Sequence, residues 1–318
     1  MKKHFHGMLL INKPYEMVSK DVSRWIQKRF GKQKLGHVGT LDPLASGVLP
    51  IVFGKATRLQ DYLLEMDKSY EFDIKLGQAT TTLDIEGEVY EEKPWDHVTY
   101  EGLGQVAAGL VGDFPQVPPL YSAVKYEGKP LYEYAREGRG SEVPLEKFRK
   151  NVQIKSLELK SFQNNVASFS VTCSKGTYVR VIADVIARNL QTCGHVTRLV
   201  RTSAAGFSLD KCYEIEFLEE NLETFEKFLV PVTNIPLNLT RWCAPDEDII
   251  RRLKMGQLMQ VDMRYFEEGL DKRSEQRTRI ESVDRMLLLD KDKRSFGIGS
   301  ASILNTGRMA VKMRRGLS

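Results

Sequence analysis

The alternation of apolar and polar positions is plainest over Lys68–Gly77, where Tyr70, Phe72, Ile74 and Leu76 fall on one side and Glu71, Asp73 and Lys75 on the other. A period of two predicts a half-buried strand. Related signals predict strands at Met8–Asn12, Ser46–Gly54, Val152–Leu159 and Ala167–Cys173. Helical spacing marks Lys20–Phe30, with Val22, Trp25, Ile26 and Phe30 on one face, Ser19 as the cap and Gly31 as the stop. Three more helices are expected at Ala56–Met66, from about Leu103 to near Gly112, and over Tyr178–Asn189. Beyond about Leu237 the pattern shortens into a helix, Asp246–Lys254, and four short strands, Leu258–Met263, Arg285–Leu289, Phe296–Ser302 and Met309–Met313. Residues 264–281 read as a solvated charged loop. Several short strands in so short a span suggest a small β-barrel.

A chain of 318 residues is long for one domain, and this change of pattern divides it into a large unit, 1–238, and a small one, 239–318. Hydrophobic content of 42% supplies a core, yet no apolar run is long enough to span a membrane, and the N-terminal apolar stretch is too short for a signal peptide. The four cysteines, Cys173, Cys193, Cys212 and Cys243, show no CxxC spacing, so a reduced, cytoplasmic protein without structural zinc is expected. Net charge is +5 but unevenly spread: residues 1–60 hold eleven Lys/Arg against three Asp/Glu, and residues 249–318 hold sixteen against nine. Two basic ends around an acidic middle suit a chain that grips a polyanion at two places. Between Pro115 and about residue 150, Tyr121, Lys125, Tyr126, Lys129, Tyr132, Tyr134 and Arg136 interleave rings and cations, the composition of a surface that stacks bases and holds phosphates. Tyr132 and Tyr134 equally fit the packing of a short helix.

The densest chemistry lies in Gly36-His37-Val38-Gly39-Thr40-Leu41-Asp42-Pro43-Leu44-Ala45-Ser46-Gly47-Val48-Leu49-Pro50. Glycines permit close backbone approach, and Pro43 stiffens the turn that presents Asp42. An Asp-Pro turn whose carboxylate bonds its own backbone is the alternative reading of those residues alone. The ungapped order closely resembles the central motif of the TruB family of tRNA pseudouridine synthases, in which the Asp is catalytic. Ser174-Lys175-Gly176-Thr177-Tyr178-Val179-Arg180 and the block from His195 to Phe207 resemble the family's later motifs, so the resemblance runs over nearly 7–235. Two departures stand out: Val200, where a second basic residue is frequent, and Tyr15-Glu16-Met17-Val18-Ser19, which lacks the usual Gly and Thr of the first motif.

The resemblance implies an α+β catalytic domain, a mixed, mainly antiparallel sheet flanked by helices, followed by a PUA-like RNA-binding β-barrel. It also implies that 115–150 is an insertion closing over the T-arm of tRNA. The implied activity is isomerisation of uridine 55 in the tRNA T-loop by base flipping, glycosidic cleavage and C5–C1′ rejoining, by a monomer without cofactor, metal, membrane or obligatory protein partner. Glycosidic cleavage builds positive charge at the anomeric carbon, which a carboxylate stabilises, and Asp42 is the candidate nucleophile. Arg180 is expected to pair with it, and Tyr70 to stack on the base and share in proton transfer. Leu199 and Tyr178 are expected to enclose the base. His37 is expected to fill the space it vacates and, when protonated, to touch a phosphate. Lys13 and Arg58 complete the expected substrate contacts. A guide-RNA-dependent relative and a non-catalytic RNA-binding or RNA-folding module are the competing readings.

Overall fold

The computed structural model describes residues 4–237, 239–270 and 282–317. Its main sheet runs Gly7–Lys13, Ala45–Phe53, Gly194–Ala204, Lys68–Leu76, Val166–Cys173, Lys150–Gln163 and Gly112–Gln116, with two short strands, Leu35–His37 and Phe207–Ser208, off this path. Every pairing is antiparallel except that of Ala45–Phe53 with Gly194–Ala204. The alternation in Lys68–Leu76 is realised, with Tyr70, Phe72, Ile74 and Leu76 buried. Helix Val179–Asn189 packs Val179, Ile182, Ala183 and Ile186 into the main core, and Tyr100–Gly109 adds Leu103 and Ala107. This is the α+β architecture expected for the large unit.

The one parallel pairing decides where the site lies. It sets Gly47 beside Arg201, and Arg201 in turn faces Tyr70 on the next strand. Gly47 has φ +102°, and a Cβ there would stand 2.3 Å from the Arg201 carbonyl oxygen. Only a residue without a side chain allows the strands so close. The strand therefore starts where the Asp42 turn ends, beside the middle of the sheet.

Several predicted details change. Ser19 does not cap its helix: Val18 occupies the cap position, and the Ser19 Oγ instead donates to the Leu41 carbonyl and accepts the Leu41 N–H. The expected 56–66 helix is a 3-10 helix, Gly54–Leu59, continued by an α-helix, Gln60–Glu65. The turn that lacks the usual Gly and Thr still forms, because Glu16 takes the left-handed conformation (φ 65°) and donates its N–H to the Pro43 carbonyl.

Among the described residues of the small unit, five strands order as Thr240–Cys243, Ser282–Leu289, Ser295–Ile303, Met309–Gly316 and Leu258–Val261. The first was not foreseen, and Leu258–Val261 stops early because Asp262 caps a helix, Met263–Gly269. That helix corrects the expected loop at 264–281, whose remainder from 271 on lies outside the described residues. Its one buried side chain, Phe266, stacks on Trp242 with ring centroids 5.7 Å apart. Leu287, Leu289, Ile298 and Leu317 join Met8, Leu10, Val52, Leu59 and Leu63 in a shared core, so this sheet is packed onto the large unit.

Two outcomes follow for urea unfolding. Gly47→Ala is expected to cost at least about 2 kcal/mol through backbone strain and the Arg201 carbonyl clash. Glu16→Gly, at an exposed left-handed position, is expected to stabilise the chain by about 0.5–1 kcal/mol.

Candidate active site

Asp42 sits on a turn held from three sides. Ser19 fixes Leu41 through both backbone groups, and Glu16 and Lys13 bond the Pro43 carbonyl at 3.0 and 3.3 Å. Lys13 also donates to the carbonyls of Pro14 (2.8 Å) and Met17 (2.5 Å) and is fully buried. Burial lowers its pKa to about 8, with the nearby Asp42 carboxylate pulling the other way. The expected substrate contact is thus corrected: Lys13 braces the turn from below.

Across from the turn, Arg180 lies in the first turn of helix Val179–Asn189 and is almost wholly buried. Its Nη2 stands 2.8 Å from Asp42 Oδ2, and its Nη1 3.3 Å from Asp84 Oδ2. The same guanidinium donates to the carbonyls of Thr82 (2.8 Å) and Tyr121 (3.1 Å). Five fixed donors in one plane suit this multiple anchoring, which a lysine would not reproduce. The Asp42 side chain keeps 38% of its exposure, against 3% for Asp84, so one carboxylate faces the opening and the other is enclosed. Burial pushes the Asp84 carboxyl upward, while Thr82, Arg180 and the Glu86 N–H draw it back.

A cavity of about 380 Å³ opens beside this pair, within the size range of small-molecule sites. Asp42, Tyr70, Tyr178, Arg180 and Leu199 all line it. Tyr70 is buried, and burial raises its hydroxyl pKa, an effect that Arg201 opposes. Tyr178, half-buried, donates its N–H to Gln116 Oε1 at 3.0 Å, and its pKa is likewise raised by burial. Among the described residues, no group of three or more His, Cys, Asp or Glu side chains converges as a metal site.

His37 and Arg58 stand outside this lining. His37 is half-buried at the rim, its Nε2 3.3 Å from Oγ1 of Thr40, which does line the cavity. Burial and then Arg201 lower its pKa from 6.5, which leaves the ring neutral at pH 7 and works against the expected phosphate contact. Arg58 stands further off: exposed, it lies beside a separate hollow with His6 and Lys34 and donates to the Gly316 carbonyl at the end of the small sheet. Tyr134, left open between stacking and helix packing, is buried with Leu131 and Val143 in a small core of its own, the packing alternative.

Two cavity groups, Lys68 and Arg201, and the enclosed partner of Arg180, Asp84, escaped the sequence reading. Asp84 looked like one acidic residue among many in a polar connection. Lys68 and Arg201 carried a signal, since they alternate onto the same strand faces as Tyr70 and Leu199.

A family model for TruB family pseudouridylate synthase (N terminal domain) matches residues 27–179. A tRNA pseudouridine synthase B from Chromobacterium violaceum is 38% identical over 94% of this chain and 92% of its own length. One of the same name from Bacillus subtilis is 39% identical over 82% and 86%. Among solved structures, a Cbf5-Nop10-Gar1 complex gives a TM-score of 0.71 at 22% identity, covering 98% of this chain and 85% of that one, a likeness of fold that takes in both sheets. With relatives this similar over nearly its whole length, the chain belongs to the TruB family of pseudouridylate synthases.

Proposed function

We propose that this chain converts uridine 55 in the T-loop of tRNA to pseudouridine, as a guide-free, cofactor-free monomer. The observation that carries the reading is the Asp42–Arg180 ion pair at the edge of a cavity walled by Tyr70, Tyr178 and Leu199. The full-length relatives named tRNA pseudouridine synthase B favour a tRNA substrate over a guide-dependent one. The unbridged cysteines suit a reducing, cytoplasmic setting.

The target base must leave its stack, at a cost of about a few kcal/mol. Enclosure between Tyr70 and Leu199 returns about 1–3 kcal/mol for a stacked base. Asp42 then forms a bond to C1′ as the N1–C1′ bond breaks, both electrons of that bond passing to the uracil. The base turns within the cavity, C5 displaces the carboxylate from C1′, the C5 proton leaves and N1 takes one up. Atoms and electrons balance without a redox partner, and Asp42 is regenerated. Arg180 holds the carboxylate in line.

Release of tritium from C5-labelled T-arm hairpin measures the reaction directly. Asp42→Asn is expected to abolish release while keeping RNA affinity within about threefold, since phosphate contacts dominate binding. Equal release from both proteins would remove Asp42 from the chemistry, and release that depends on an added guide would favour the other enzyme reading. Arg180→Met is expected to lose activity and about 3–5 kcal/mol of stability, because it strands a buried carboxylate. Thermal or urea unfolding reads the second effect.

A further inference from the structure

Beside Tyr70 the cavity is lined by two buried cations that the reaction as described does not use. Lys68 precedes Tyr70 by two on the same strand face, and Arg201 lies opposite Tyr70 in register. Both line the cavity, with only 7% and 1% of their surface exposed. They converge on one point: a Cβ added to Gly39 would lie 3.2 Å from Arg201 Nη1 and 3.5 Å from Lys68 Cε. Gly39, at φ +80°, is the residue that leaves this room.

Neither cation has a carboxylate within ion-pair distance among the described residues. Lys68 Nζ donates to the carbonyls of Leu64 (3.0 Å) and Met66 (2.8 Å), which leaves its third position open. Arg201 donates to Val48 (2.7 Å) and Gly39 (3.0 Å), which leaves its remaining edge to the Tyr70 hydroxyl and the cavity. The nearest acids are engaged elsewhere, Glu65 with Lys175 and Asp67 with Lys155. Two adjacent buried cations without counter-charge are costly, and such a site is complementary to an anion that reaches it.

The proposed reaction generates such an anion inside the cavity, since the electrons of the N1–C1′ bond pass to the detached base. We propose that Lys68 and Arg201 form an electrostatic cradle for the uracil anion, stabilising the leaving group while Asp42 stabilises the positive charge on C1′. The inference rests on the function proposed above and deepens it. A backbone phosphate fits less well, because both cations are almost wholly buried within the cavity wall. Lys68 faces Arg201 from one neighbouring strand, Cys173 from the other, and Glu65 and Asp67 from the helix end. Burial, with Arg201 adding to it, lowers its pKa to about 8, so the ammonium is present below that pH and lost above it.

The test compares full-length wild type, Lys68→Met and Lys68→Arg in single-turnover cleavage of a T-arm hairpin carrying uridine or 5-fluorouridine at the target. Fluorine acidifies the base and makes it a better leaving group, so it needs less help. Lys68→Met is expected to slow uridine cleavage by about a hundredfold or more, and fluorouridine cleavage by less than about tenfold, with RNA affinity little changed. Wild-type rate is expected to fall as pH rises through about 8, where Lys68 and the turn-bracing Lys13 both lose charge, and Lys68→Arg, charged throughout at this position, to fall less. Equal losses on both substrates, a loss confined to RNA affinity, or an unchanged rate would overturn the cradle. If Lys68→Met does not fold, Lys68→Gln takes its place in the same two-substrate comparison, and equal losses on both substrates overturn the cradle. A wild-type chain inert on the uridine hairpin would instead take down the parent reading and this one with it.

Discussion

The arrangement depends on one buried guanidinium shared between two carboxylates. Arg180 reaches Asp42 on the turn before one strand and Asp84 on a connection laid against another. Desolvating a cation and two anions is expensive, and mutual attraction offsets it only where geometry is good and the remaining donors are satisfied. Here the carbonyls of Thr82 and Tyr121 take up further donors of the fork. Tyr121 leads into the segment rich in Tyr and Lys, so the same side chain ties that segment to the site.

Around this centre the sequence places support where the chemistry asks for rigidity. The Asp42 turn has no regular structure, yet Ser19, Glu16 and Lys13 each bond a backbone group one residue away from the carboxylate. A side chain held through its neighbours on both sides loses little further freedom when substrate arrives, and so retains its orientation at low entropic cost. The left-handed Glu16 is part of that arrangement: the backbone accepts local strain to donate to Pro43.

Much of this was legible in the residues. Period-two alternation located Tyr70 on the inner face of its strand, and the Gly- and Pro-punctuated motif located Asp42. The pairing of Asp42 with Arg180, 138 positions apart, came only through resemblance, because no local pattern encodes so distant a contact. Ser19 has the residue type of a helix cap, and tertiary contact with Leu41 overrode that preference. Lys13 was misjudged because a cation reads as solvent- or substrate-facing, whereas backbone carbonyls satisfy it in the interior here. Phe266 was hidden in a charged window, since a helix with one apolar anchor has no periodicity to detect.

The contact between Arg58 and the Gly316 carbonyl brings together two stretches that stand at opposite ends of the sequence. Arg315 returns across the same seam to Asp61, 3.1 Å away, and lies with Arg285 against the ring of Tyr62. Basic side chains of both regions, Arg58 from the first sixty residues and Arg285 and Arg315 from the last seventy, thus meet at one seam. Charges gathered at such a seam attract a polyanion to both units at once, and that attraction weakens as ionic strength shortens its reach.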